Sequence, residues 1–177
     1  MRPSVWPSIF DLALDCVHIV DARGLHGLSC RRSAGRHTRH SQLNDIIWRS
    51  LCRAKIPASK EPLGLTRSDG KRPDGVTLIP WSHGKCLTWD VTVPYTMATS
   101  HVQATSTAAG AAADGAAANK KTKYAALQST HIFVPVSVET MGSLNCESLN
   151  FASNIGSKLT AVTGDPLETS YLFQRHS

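Results

Sequence analysis

The sequence predicts an α/β fold in which helices flank a mixed sheet, with elements in the order α-β-β-β-α-β. Apolar residues recur at helical spacing in two segments, while four shorter runs alternate or carry strand-forming residues. An Ala-rich segment between the third and fourth strands favours another helix, with Gly110 and Gly115 as weak points. With 177 residues, 41% of them hydrophobic, the chain is long enough for one compact domain and a small appendage.

The predicted elements follow the chain as a helix, three strands, a helix, a strand and a second amphipathic helix. Their expected ranges are 41–54 (helix), 58–66, 76–79 and 86–93 (strands), 102–127 (helix), 131–138 (strand) and 146–162 (helix). Residues 82–85 are expected to form the turn of a hairpin between the second and third strands. The hairpin matters because an aspartate stands at each end of it.

Asp74 lies just before the first hairpin strand and Asp90 lies near the end of the second, with fifteen residues between them. Because side chains alternate along a strand, Asp90 and Thr92 are expected on one face and Val91 and Val93 on the other. Two converging carboxylates repel each other unless a cation lies between them. Their oxygens suit Mg²⁺ or Mn²⁺, which can activate water for attack on a phosphodiester. Two unrelated surface aspartates near turns are the alternative, although a charge within an apolar strand needs a partner.

Three short motifs resemble one protein family. The segments 71–74 (Lys-Arg-Pro-Asp), 90–93 (Asp-Val-Thr-Val) and 120–124 (Lys-Lys-Thr-Lys-Tyr) look like the restriction-like endonuclease domain of non-LTR retrotransposons. That domain belongs to the PD-(D/E)xK nucleases, and the resemblance covers about residues 40 to 140. It implies a restriction-endonuclease-like core, nicking of target DNA to leave a 3′ hydroxyl, and origin as the C-terminal end of a reverse-transcriptase-associated polyprotein.

The lysine of the PD-(D/E)xK motif is displaced in this chain. Thr92 stands two residues after Asp90, where the superfamily usually has Lys, so an ammonium has to come from the next helix. Lys120 and Lys123 share one helical face with Tyr124, and the resemblance implies that one of the two lysines fills the role. A solvated last helical turn is the alternative. Glu61 is a further candidate metal ligand, whereas Glu139 is assigned a structural role.

A candidate Zn²⁺ site precedes the nuclease-like segment. Two close ligands, a loop and two more close ligands suit tetrahedral zinc, and the residues in question are Cys16, His18, His26 and Cys30. The segment resembles the zinc knuckle that precedes the nuclease in those retrotransposons, except that His18 stands where the family has Cys. His37 and His40 are alternatives to His18. Unconnected Cys and His residues in an irregular loop are the other interpretation.

Positive charge is concentrated in the first third of the chain. Of 19 Lys and Arg residues, ten precede residue 61 together with four of the 13 acids, which leaves nine of each sign in the remainder. Four arginines directly follow the candidate zinc site and are expected to contact DNA phosphates: Arg31, Arg32, Arg36 and Arg39. An ordinary solvated basic face is the alternative.

These features predict a domain organisation and a function. The ranges are an N-terminal extension (1–15), an irregular, basic zinc-knuckle-like segment (16–40), the nuclease domain (41–165) and a tail (166–177). We expect an intracellular, nuclear protein that binds DNA or RNA, with no membrane or small-molecule partner. Its predicted function is that of a metal-dependent DNA endonuclease, and the alternative is an inactive nucleic-acid-binding remnant that keeps the fold.

Overall fold

The computed structural model describes residues 34–176, with side chains from residue 37 to residue 174. Its helices are α1 (Ala34–Arg53), α2 (Val102–Thr107), α3 (Ala111–Lys123), α4 (Cys146–Thr163) and α5 (Glu168–His176). Its strands are β1 (Ala58–Lys60), β2 (Gly75–Thr77), β3 (Leu87–Thr92) and β4 (Ile132–Ser137). The predicted α/β class with a mixed sheet and flanking helices is confirmed.

The four strands form one sheet in the order β1-β2-β3-β4. β2 is antiparallel to both β1 and β3, and β4 runs parallel to β3. The register pairs Gly75 with Trp89 and Asp90 with Pro135. In this register Asp74, the residue before β2, lies level with the second half of β3.

Helix α1 begins at Ala34, so the prediction that residues 34–40 are irregular was wrong. Ala and Arg in this segment are good helix formers, which lets the helix extend in front of the predicted start. Its end at Arg53, before Pro57, agrees with the prediction. The helix buries Leu43, Ile47 and Leu51 against the sheet.

The first two strands are shorter than predicted. β1 ends at Lys60, because Glu61 has a positive φ of 47° that an extended strand does not allow. β2 ends at Thr77, whose hydroxyl accepts from the backbone N–H of Leu87 at 2.9 Å and donates to the carbonyl of Ile79 at 2.9 Å. A side chain thus replaces the next backbone pairing, and the predicted extension of the strand over residues 78–79 was wrong.

The helix predicted over residues 102–127 is divided. Helix α2 ends at Thr107, and Gly110, with a φ of 89°, is the N-cap of α3, which confirms that the helix is interrupted near this glycine. Gly115 lies within α3 without breaking it. After Lys123 the chain tightens into a 3₁₀ helix, Ala125–Ser129.

The sheet separates two packed layers. On one face, Leu87, Trp89 and Val91 of β3 join the main hydrophobic core with residues of α1 and α4. On the other face, the small side chains of α3 are buried, and Tyr124 packs on Phe133 with ring centroids 4.9 Å apart. Alternation along β3 therefore sends Asp90 toward α3, as predicted from its spacing to Val91.

The C-terminal residues also pack on this core. Leu172 of α5 is buried in it, and Glu168 is held by the Arg53 guanidinium at 2.6 Å. The range 166–177, assigned to a tail from the sequence, thus includes a packed helix. Within residues 34–176, no helix combines the length and hydrophobicity needed to cross a bilayer.

Gly75→Ala is expected to destabilise the fold, because a Cβ at this position would lie 2.0 Å from the indole ring of Trp89. Overpacking of this kind costs about 1–3 kcal/mol of unfolding free energy. Urea unfolding of the wild type and the variant measures it. Gly64→Ala is the matched control, since nothing lies within 4 Å of its added Cβ. Equal stability of the two variants would contradict the packing described here.

Candidate functional site

Asp74 is held against the backbone of β3. Its Oδ2 accepts a hydrogen bond from the backbone N–H of Val91 at 2.6 Å and lies 3.0 Å from His40 Nε2. Because Val91 directly follows Asp90, the Asp74 carboxylate lies beside the second predicted acid. The structure therefore brings the two aspartates together, through the antiparallel pairing of β2 with β3.

Asp90 is buried, with only 3% of its surface exposed. Its Oδ1 accepts from the hydroxyl of Tyr124 at 3.1 Å, and its Oδ2 forms an ion pair with Lys120. Among the described residues, Oδ2 receives no other donor. Within the described residues, Asp90 Oδ2 is therefore paired only with the partly exposed ammonium of Lys120.

The electrostatics of the two acids are coupled. Burial raises the pKa of Asp90, the Lys120 ammonium opposes that rise, and the negative charge of Asp74 adds to it. A cation near both carboxylates stabilises their charged forms. In the structure that charge comes from protein side chains: Lys120 faces Asp90, and His40 faces Asp74.

The two candidate lysines occupy different places. Lys120 contacts Asp90, whereas Lys123 Nζ donates to the hydroxyl of Tyr124 at 3.0 Å and lies 4.5 Å from the centroid of its ring. Burial is the first cause that lowers the pKa of Lys123, and the neighbouring Lys120 lowers it further. The geometry favours Lys120 as the ammonium that serves the acid pair.

Tyr124 is a site residue that the sequence analysis did not select. Its side chain is buried, and its hydroxyl reaches both Asp90 and the carbonyl of Arg72, the latter at 2.8 Å. Burial and the Asp90 charge raise the pKa of Tyr124, so the phenol stays neutral and can donate. Its position one helical turn after Lys120 was the available signal.

His40 and Asn44, one turn apart on α1, were not predicted to contact the acid pair, and His40 was considered only as an alternative zinc ligand. The hydrogen bond to Asp74 is the main cause that raises the pKa of His40. Asn44 donates to the Asp74 carbonyl at 3.4 Å and accepts from the indole N–H of Trp89 at 2.8 Å. No local motif marks these contacts, because they join segments that are distant in sequence.

The two predicted glutamates have different surroundings. Glu61 is exposed and pairs with Arg72, while its backbone N–H donates to the carbonyl of Asp74 at 2.9 Å. Glu139 is buried and accepts from the backbone N–H groups of Ala112 and Ala113, at 2.9 and 3.3 Å. Glu139 therefore satisfies the N-terminus of α3, the helix that carries Lys120.

Part of the predicted zinc and DNA-binding set lies outside the described residues. These positions are Cys16, His18, His26, Cys30, Arg31 and Arg32. Arg36 lies in α1, and Arg39 is exposed on the same helix. Arg39 and Arg49 line an open groove of about 700 Å³ between α1 and the ends of β3 and β4.

The donor set fits a hard divalent cation. Within residues 34–176, no group of three or more His, Cys, Asp and Glu side chains has metal-binding geometry. Asp74 and Asp90 supply carboxylate oxygens, and Mg²⁺ commonly binds one or two carboxylates together with water and substrate phosphates. The buried Asp90 Oδ2, matched only by an exchangeable ammonium, is the acceptor best suited to such an ion.

No protein-family model matches this chain, and no curated protein matches it. The inference of function therefore rests on the residues described above and on the resemblance carried by the sequence motifs.

His40→Gln is expected to lower stability most at low pH. The pKa of His40 is raised above 6.5 in the folded state, so its stabilising effect is full below that value and is lost as pH rises through the folded pKa. Urea unfolding across pH, without added divalent ions, gives the difference between wild type and variant. In an Asp74→Asn background the pH-dependent difference should vanish. A difference that grows with pH would contradict the His40–Asp74 contact.

Proposed function

We propose that this chain is a metal-dependent DNA endonuclease of retroelement origin that nicks its target by phosphodiester hydrolysis. The observation that carries the proposal is the junction of Asp74 and Asp90, with Lys120 on the buried oxygen of Asp90. Two acids and a lysine in contact are the groups that the resembling nuclease family uses. Here the lysine comes from α3 and not from the position of Thr92.

The restriction-like fold is part of this proposal. If the short helix α2 between β3 and α3 is set aside, the elements from α1 to β4 follow the α-β-β-β-α-β order expected of that nuclease core. Many α/β folds share this order, so it supports the proposal only together with the site. Asp74 directly precedes β2, Asp90 lies on β3, and Lys120 lies on α3, the helix on which the resemblance expects the displaced lysine.

Asp74 and Asp90 would hold the Mg²⁺ or Mn²⁺ ion. When bound, that ion supplies Lewis-acid stabilisation of the phosphate and an activated water. Lys120, which pairs with Asp90 in the structure, would supply its ammonium to the charge that develops on the phosphate oxygens. Tyr124 keeps its hydroxyl on Asp90 and fixes the direction of that carboxylate.

DNA is the proposed partner because of the charge distribution. The excess of positive charge lies in the segment before residue 61, which includes Arg39 and Arg49 at the groove between α1 and the ends of β3 and β4. We place the activity in the nucleus, where such a target is found. Zn²⁺ bound by Cys16, His18, His26 and Cys30 would fold a segment that precedes α1 and add phosphate contacts from Arg31 and Arg32.

Plasmid nicking in Mg²⁺ or Mn²⁺ tests this function. Asp74→Asn and Asp90→Asn should abolish nicking while DNA affinity stays close to wild type, and circular dichroism checks that each variant is folded. Asp114→Asn, an exposed acid on α3, is the control with the same charge change.

Lys120→Met should slow nicking on the order of a hundred- to thousandfold, as for loss of one group that stabilises transition-state charge. Lys121→Met is its control, because Lys121 pairs with Glu147 instead.

Three results would decide against the enzyme. Nicking that persists in either aspartate variant would remove the acid pair from the chemistry. Equal rates in the Lys120 and Lys121 variants would remove the lysine. Salt-sensitive DNA binding by the intact chain without any cleavage would identify it as the nucleic-acid-binding remnant.

A further inference from the structure

A tight basic loop borders the acid pair. Arg67 donates its backbone N–H to the carbonyl of Lys71 at 2.8 Å, and Gly70 donates to the carbonyl of Arg67 at 3.0 Å. Gly70 has a φ of 74°, a conformation that glycine adopts without strain. Asp69 accepts from the backbone N–H of Lys71 at 3.1 Å and from Arg67 Nε at 3.2 Å. The loop is therefore shaped by its own hydrogen bonds and presents two cations.

This loop packs on the last turn of α3 through Tyr124. The Arg67 guanidinium lies 5.6 Å from the centroid of the Tyr124 ring, and the Lys123 ammonium lies 4.5 Å from it. The backbone carbonyl of Arg72, at the end of the loop, accepts from the Tyr124 hydroxyl. Arg67, Lys71 and Lys123 together form what we call the basic rim.

The basic rim carries more positive charge than its surroundings neutralise. With Lys120 it comprises four cations, and three carboxylates, Asp69, Asp74 and Asp90, oppose them. Burial is the first cause that lowers the pKa of Lys123, and the nearby Lys120 and Lys71 charges lower it further. Like charges held close together cost free energy, so the arrangement favours an anionic ligand.

We infer that the basic rim is a second phosphate site, which holds the backbone phosphate next to the one that lies at Asp74 and Asp90. One hydroxyl group, that of Tyr124, separates the Lys123 ammonium from the Asp90 carboxylate. A polynucleotide places a phosphate at every step, so a strand lying at the acid pair also presents one to the rim. The inference rests on the proposed function only in taking DNA as the ligand of the acid pair.

The mode of contact follows from the residue types. A planar guanidinium can bind two phosphate oxygens at once, and a flexible ammonium binds as a point charge. Contacts of this kind fix the position of a strand without reading its sequence. The rim would thus set which phosphate reaches the acid pair, and it would favour chains of nucleotides over isolated phosphodiesters.

Equilibrium binding of a fluorescent DNA duplex tests the inference. The full chain is titrated in Ca²⁺, with no Mg²⁺ or Mn²⁺ added, across a series of salt concentrations. The test variant is Arg67→Gln with Lys71→Gln, and the control is Lys85→Gln with Lys121→Gln. Each double variant removes two cations and one surface ion pair, so their overall charge is the same. Arg67→Lys with native Lys71 keeps the charge at the rim.

The test variant should bind on the order of tenfold more weakly between about 50 and 200 mM salt, and its slope of log affinity against log salt should fall by about 1, because the contact to one phosphate is lost. The control should change less than about twofold, and Arg67→Lys should retain most of the affinity. Equal losses in both double variants, or no loss in either, would overturn the inference. Loss of nicking alone would bear on the proposed function and not on the rim, because this binding test needs no cleavage.

Discussion

The buried carboxylate of Asp90 is the constraint on which the site depends. It lies in the middle of the sheet, where an isolated charge costs several kcal/mol. Tyr124 supplies one hydrogen bond and Lys120 supplies the opposing charge, and both come from α3. That helix must therefore lie close to the sheet, which its buried alanines allow. Glu139, at the other end of the helix, satisfies the backbone N–H groups that start it.

The pairing of β2 with β3 sets the second half of the site. It brings the Asp74 carboxylate to the backbone N–H that follows Asp90, so the two acids lie side by side. Their mutual repulsion is tolerated because Lys120 and His40 each face one of them. Under the proposed function, a divalent cation and a phosphate would take the place of these two protein cations at the acids. The basic rim extends the same positive field beyond the acids.

The spacing of residues within a single strand or helix correctly predicted which side chains share a face. Alternation along β3 placed Asp90 opposite Val91, and helical spacing placed Lys120, Lys123 and Tyr124 on one face. Long-range packing could not be predicted this way. The approach of His40 to Asp74 joins α1 to β2, and only the folded arrangement decides which of two lysines meets an acid. The end of β2 was also predicted wrongly, because the Thr77 hydroxyl takes the place of the next backbone hydrogen bond.

Binding of Mn²⁺ to the chain, followed by the paramagnetic signal of the free ion, tests the central claim most directly, because it needs neither DNA nor turnover. We predict one site that is lost in Asp74→Asn and in Asp90→Asn, since each acid supplies part of the ligand set. Binding of undiminished affinity in the double variant would show that the ion lies elsewhere. That result would contradict the account of Asp74 and Asp90 as a joint cation site.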